Sequence, residues 1–167
     1  MRRSLPRAAA FLAVPVGAYQ LWFASRHWQI ASIYSTGIGF LVQGHSHYPM
    51  TFHNFYLWLY GEAALSILGG LALIVGAVLI VRRSAAGAWW IVGGCAVVVA
   101  HTAVGWVVAS KMVRWFAYVG ADDYGLLWFN SPNRLVVVGV SFALPATAAA
   151  LALTSGARPR ERIAKPS

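Results

Sequence analysis

Four apolar stretches, each about 20 residues long, constrain this chain more than any other feature of its sequence. They cover approximately residues 8–25, 55–81, 88–110 and 135–154. A helix needs roughly 17–25 mostly apolar residues to cross a bilayer, where its backbone groups must hydrogen bond internally. None of the stretches shows the alternating pattern of a membrane barrel strand. The sequence therefore predicts an all-α fold, a polytopic integral membrane four-helix bundle.

The charges support this interpretation and predict an orientation. Only 10% of the residues are charged, whereas a soluble domain has about 25%. If four helices are threaded in order, nine of the 13 Lys and Arg residues fall on the side of the termini, which predicts that both termini are cytoplasmic. These nine are Arg2, Arg3, Arg7, Arg82, Arg83, Arg158, Arg160, Arg162 and Lys165.

The chain is predicted to form one domain, residues 1–154, followed by a basic cytoplasmic tail, residues 155–167. Two long aromatic loops and one short turn, RRSAAGA, connect the helices. The first helix follows a basic start, as a signal peptide would, but its length favours an uncleaved helix. We expect a multi-pass protein of the cell membrane, typical of a bacterial inner membrane. The net charge of +9 does not predict nucleic-acid binding, because no basic face alternates with stacking aromatics.

Polar side chains of all four helices are predicted to lie in one layer near the extracytoplasmic surface. At 1.5 Å per residue, Glu62 lies about 10 Å and His101 about 14 Å from that end. A buried ionisable group needs a partner and is by default a candidate functional group. We therefore predict that Glu62 and His101 pair in a cavity as the catalytic residues. Predicted substrate-binding residues are Tyr19, Gln20, Asn54, Trp58, Ser66, Trp106, Ser141, Asp122 and Asp123. A purely structural pair that pins two helices together is the alternative.

Cofactor sites receive weaker support from the sequence, and none is predicted. His45, His47 and His53, with Met50 nearby, are candidate metal ligands, but their spacing is loose and no carboxylate or cysteine completes a set. His101 as a haem ligand lacks a second axial side chain within the helices. The single cysteine, Cys95, excludes an internal disulfide and dithiol redox chemistry.

Short motifs add a resemblance to a known family. Glu62 in helix 2, VVAHTAVG around His101 in helix 3, and NRLVVVGVSFALPATAAALAL in helix 4 resemble the EXPERA-domain proteins, the group of the emopamil-binding sterol isomerase and the sigma-2 receptor. The resemblance spans roughly residues 8–154 and implies a four-helix membrane fold with Glu62 and His101 in its site. The acidic residue in helix 1 of the sigma-2 receptor has no counterpart, since Tyr19 and Gln20 are the nearest polar residues. Sterol specificity is therefore not implied.

Two functions follow as hypotheses. In the first, the protein binds or transforms a lipid or isoprenoid, and Glu62 and His101 perform acid–base chemistry of the isomerase or cyclase type. Tyr60, Trp58 and Trp106 would form walls that stabilise a cation. In the second, the chain is a non-catalytic accessory subunit that docks a protein partner through its aromatic outer loops. Ion transport is disfavoured, because the inner half offers no chain of polar residues.

Overall fold

A computed structural model describes residues 5–33, 52–118 and 138–156, and these segments are helical apart from one turn. α1 covers Leu5–Ile33, α2 covers Phe52–Val81 and α3 covers Ala86–Tyr118. A π-helical turn, Gly139–Ala143, leads directly into α4, Leu144–Gly156. No strand occurs in the described segments, which confirms the all-helical class.

Three of the helices have the length and hydropathy of membrane spans: Leu5–Ser32, Leu57–Val81 and Ala86–Val108. The apolar part of the fourth, Gly139–Thr154, is shorter. Many large apolar side chains on the first three, such as Phe11, Leu68 and Val107, face outward. Such a surface suits lipid rather than water, so the structure is compatible with a multi-pass membrane protein.

Two helices end later than predicted. α3 was expected to end near Ser110 and continues to Tyr118, and α1 was expected to end near Ser25 and continues to Ile33. The polar residues that suggested a loop are accommodated on the helix. Arg26 donates to Gln29 Oε1 at 3.3 Å, and its guanidinium lies 6.0 Å from the Trp22 ring centroid. His27 is buried and bonds to the Phe23 carbonyl. Contacts at i+3 and i+4 spacing support a helix, so these residues extend α1.

The predicted turn between the second and third spans is present and has a defined geometry. The Ser84 amide donates to the Leu79 carbonyl at 2.8 Å, and the Arg83 amide donates to the Ile80 carbonyl at 2.9 Å. This is a Schellman motif, in which the residue after the helix adopts a left-handed conformation. Arg83 takes that conformation, with φ of 60°, and so reverses the chain between α2 and α3.

Small residues form the centre of the bundle. Ala9 and Ala13 of α1 pack in one buried cluster with Ala148 and Ala152 of α4. Glycines allow the closest approaches, since a Cβ on Gly17 would lie 2.9 Å from the Gly70 carbonyl oxygen, and a Cβ on Gly94 would lie 3.1 Å from that of Gly69. Membrane helices commonly approach each other through such residues. α1 and α3 thereby contact two different faces of α2, since consecutive residues of a helix point about 100° apart.

Candidate functional site

The two ionisable residues predicted to pair do meet. Glu62 of α2 and His101 of α3 are both buried, and Glu62 Oε2 lies 2.9 Å from His101 Nδ1. The close approach of α2 and α3 at Gly69 and Gly94 explains this contact. Glu62 lies seven residues, about two helical turns, from Gly69, and His101 lies the same distance from Gly94. The same faces that carry the glycines therefore bring carboxyl and imidazole together.

A third buried residue, Gln20 of α1, completes a hydrogen-bonded chain. Its Oε1 lies 3.1 Å from His101 Nε2. An amide oxygen only accepts, so Nε2–H is the donor and one proton is assigned to this nitrogen. The remaining proton of the pair lies between Glu62 Oε2 and His101 Nδ1, on the carboxyl of a neutral pair or on the imidazole of an ion pair. Either state has zero net charge, which reduces the cost of burial.

A cavity of about 20 Å³ adjoins the hydrogen-bonded side chains of Gln20, His101 and Glu62. Six residues predicted for the site line it: Tyr19, Gln20, Trp58, Glu62, His101 and Ser141. Its volume is sufficient for about one water molecule. The space next to Glu62 therefore suits the single reacting group of a ligand, and a long hydrocarbon chain requires movement of the surrounding side chains.

Four further residues line the cavity that the sequence analysis did not select: Phe23, His27, Thr102 and Gly105. His27 was missed because α1 was predicted to end before it. Its spacing of seven residues from Gln20 places it on the same helix face once the helix continues. Thr102 follows His101 directly. Gly105 lies one turn further along α3, and a Cβ at this position would lie 3.6 Å from both carboxyl oxygens of Glu62.

The other predicted site residues lie elsewhere or outside the described parts. Trp106 is not in the cavity lining and instead packs near Phe142, with ring centroids 6.3 Å apart. Ser66 is fully buried one turn from Glu62 but does not line the cavity.

Asp122 and Asp123 fall outside the described residues, as do His45 and His47. Asn54 and His53 are within α2, but their side chains are not among those described.

Ser141 reaches the cavity from an irregular part of its helix. The π-helical turn places the Leu144 amide on the Gly139 carbonyl, five residues earlier. Pro145 follows and has no amide hydrogen to donate, which interrupts the regular pattern of helix bonds. Single π turns occur frequently at functional sites. This one buries the Ser141 hydroxyl against the cavity.

Groups of three or more His, Cys, Asp or Glu residues able to hold a metal ion do not occur in the described segments. The weak metal prediction for the outer histidines lies outside these segments or on side chains that are not described. The side chains that line the described cavity offer hydrogen bonding and proton transfer.

Replacing Ser66 with Ala should leave stability unchanged or raise it by up to about 1 kcal/mol, because a buried hydroxyl without a partner carries a desolvation cost. Ser66 Oγ is buried and forms no hydrogen bond with any residue that the structure describes. Unfolding of the purified variant in mild detergent measures the effect, with Ser25→Ala, at an exposed position on α1, as control. A loss above about 1 kcal/mol would contradict this assignment, since it would require a bonded hydroxyl.

Comparisons with known proteins do not extend these observations. No protein-family model, no curated protein and no solved structure matches the chain.

Proposed function

We propose that this chain binds a lipid or isoprenoid at the Glu62 cavity and transforms it by proton transfer, as an isomerase or cyclase does. The observation that carries the proposal is the buried chain Gln20–His101–Glu62 beside a cavity within the candidate membrane spans. An ionisable residue in a membrane span is costly and is by default a functional candidate. The resemblance of short motifs in this sequence to those of EXPERA-domain proteins favours the same assignment.

Each part of the site has a role in the proposed chemistry. Glu62, in its protonated form, donates a proton to an alkene carbon or an epoxide oxygen of the ligand. His101 accepts or returns the proton of Oε2 and holds the carboxyl in place. The aromatic rings of Tyr19, Phe23 and Trp58 line the cavity and stabilise positive charge that develops on carbon.

The cavity also indicates the class of head group. Its described lining contains no Lys or Arg, so nothing there neutralises a phosphate or diphosphate. The site suits a lipid that presents one uncharged reactive group, such as an alkene, an epoxide or a hydroxyl. With both termini in the cytoplasm, as the charge distribution favours, this group is reached from the outer leaflet.

Filling the cavity should remove ligand binding without disturbing the pair. A Cβ on Gly105 would lie 3.6 Å from both carboxyl oxygens of Glu62, at ordinary contact distance. We therefore expect Gly105→Ala to fold and to lose at least tenfold in ligand affinity, because its methyl group takes up space of the size of a water molecule. Native mass spectrometry of protein purified in mild detergent detects the bound lipid.

Gly93→Ala is the matched control for this experiment. It lies on the same helix, and a Cβ there would meet no atom within 4 Å. Retention of lipid by both variants would contradict the cavity as the binding site. A stable stoichiometric protein partner with no lipid would instead favour the accessory-subunit function, in which the aromatic loops dock that partner and the Glu62–His101 pair is structural.

A further inference from the structure

His27 is the second imidazole of the cavity, and it differs from His101 in what its nitrogens contact. Its Nδ1 lies 3.1 Å from the Phe23 carbonyl oxygen. A carbonyl only accepts, so this nitrogen is the donor and the neutral ring has its lone pair on Nε2. His27 is buried, and its Nε2 forms no hydrogen bond with a described residue.

His101, by contrast, has no nitrogen left for a ligand. Nδ1 is engaged with Glu62 and Nε2 with Gln20. On the Glu62–His101 pair, the group within reach of a ligand is the carboxyl, since a Cβ on Gly105 would lie 3.6 Å from both of its oxygens. His101 is therefore a positioning residue that sets the proton state of Glu62.

Isomerisation by proton transfer requires an acid at one atom of the substrate and a base at another. Glu62 supplies the acid, and the neutral tautomer of His27 supplies a basic nitrogen in the same cavity. The aromatic rings of Phe23 and His27, with centroids 4.1 Å apart, hold the imidazole in place. The two groups belong to different helices, α1 and α2, so they approach a bound ligand from different directions.

We propose that His27 is the catalytic base that removes a C–H proton from the ligand after Glu62 has protonated it. This inference rests on the proposed function. Glu62 gives its carboxyl proton to an alkene carbon or epoxide oxygen, which leaves a carboxylate and a cationic or ring-opened ligand. Nε2 then takes a proton from the neighbouring carbon, whose C–H electrons form the new double bond. Return of that proton from the imidazolium to the carboxylate restores both groups, with no net oxidation.

Two substitutions of His27 distinguish the role of Nδ1 as a hydrogen-bond donor from the role of Nε2 as a base. Asn places its side-chain NH2 near the position of Nδ1, so His27→Asn keeps the donor to the Phe23 carbonyl and removes Nε2. Gln extends an amide toward the position of Nε2 but is not basic. We expect both variants to fold and to retain bound lipid, while proton exchange between ligand C–H groups and solvent falls at least tenfold.

The test uses the full chain in lipid nanodiscs, with ¹⁵N-labelled histidine and with farnesol, epoxidised squalene and cholesterol as probes. NMR should show a non-protonated Nε2 in His27 at neutral pH, identified by its loss in His27→Asn. Mass spectrometry should show deuterium uptake from D₂O into the probe for wild type and a loss of it in both variants. A protonated Nε2, or wild-type uptake in the folded His27→Asn protein, would overturn the proposal.

The two proposals fail in different ways. If wild-type protein neither binds nor exchanges with a probe, the proposed function is wrong, whereas the NMR spectrum still decides whether Nε2 is a free acceptor. If wild type exchanges deuterium and Glu62→Gln does not, but the His27 variants do, only the role of His27 is wrong. Should His27→Asn fail to fold, the folded His27→Gln variant decides the outcome in the same way.

Discussion

Glu62→Gln should abolish proton-transfer turnover while the bundle remains folded. The amide has the size of the carboxyl, and its NH2 group donates to His101 Nδ1, so His101 keeps both partners when Nε2–H donates to Gln20. The amide has no acidic proton, which removes general acid catalysis worth roughly 10²–10⁴-fold. Deuterium uptake from D₂O into farnesol, epoxidised squalene and cholesterol, with purified protein in nanodiscs, measures the loss.

Two controls make this result specific to the acid. Gly61→Ala changes the neighbouring residue, where a Cβ would meet no atom within 4 Å, and should keep wild-type turnover. Glu62→Leu leaves His101 Nδ1 without its partner and should reduce stability by about 1–3 kcal/mol. If Glu62→Gln retains turnover within about threefold of wild type, Glu62 is not the acid, and the proton must come from another group.

Gly87→Ala and Gly76→Ala should be among the most destabilising single substitutions in the bundle. A Cβ on Gly87 would lie 2.7 Å from the Ile80 amide nitrogen and 2.8 Å from the Gly76 carbonyl oxygen. A Cβ on Gly76 would lie 2.9 Å from the Ile91 amide nitrogen. These atoms belong to the backbone, so α2 and α3 must separate to admit the methyl group, at a cost of about 1–3 kcal/mol.

The intrinsic helix preference of Ala acts in the opposite direction, since Ala is favoured over Gly by about 1 kcal/mol within a helix. Gly93→Ala measures the helix preference alone, because its Cβ would point into open space. This substitution should leave stability unchanged or increase it. Unfolding in mixed detergent, followed by circular dichroism, compares the three variants. Equal stability of Gly87→Ala and Gly93→Ala would show that the helices do not approach as closely as the structure places them.

Several features of this protein followed from its sequence alone. The long apolar stretches require helices, because backbone groups in lipid must bond within their own segment. The rise of 1.5 Å per residue then placed Glu62 and His101 at similar depth, and the small residues on their faces indicated a close approach. Because a buried ionisable group needs a partner, their pairing was predictable before any coordinates. The predicted roles of these residues in catalysis remain to be tested by the substitutions above.

Tertiary structure decided which other residues share the site. The helices are apolar on most faces, so the sequence does not determine how each one is rotated about its axis. Only the packing shows that Gln20 bonds to His101, that Trp106 does not line the cavity, and that the cavity measures about 20 Å³. The end of α1 is a similar case. The sequence predicts that His27 lies in a loop, whereas in the structure its imidazole is buried and bonds to the Phe23 carbonyl within α1. The depth of a residue in the membrane follows from the residue count along one helix. The direction of its side chain and the shape of the cavity depend on contacts between helices that are distant in the chain.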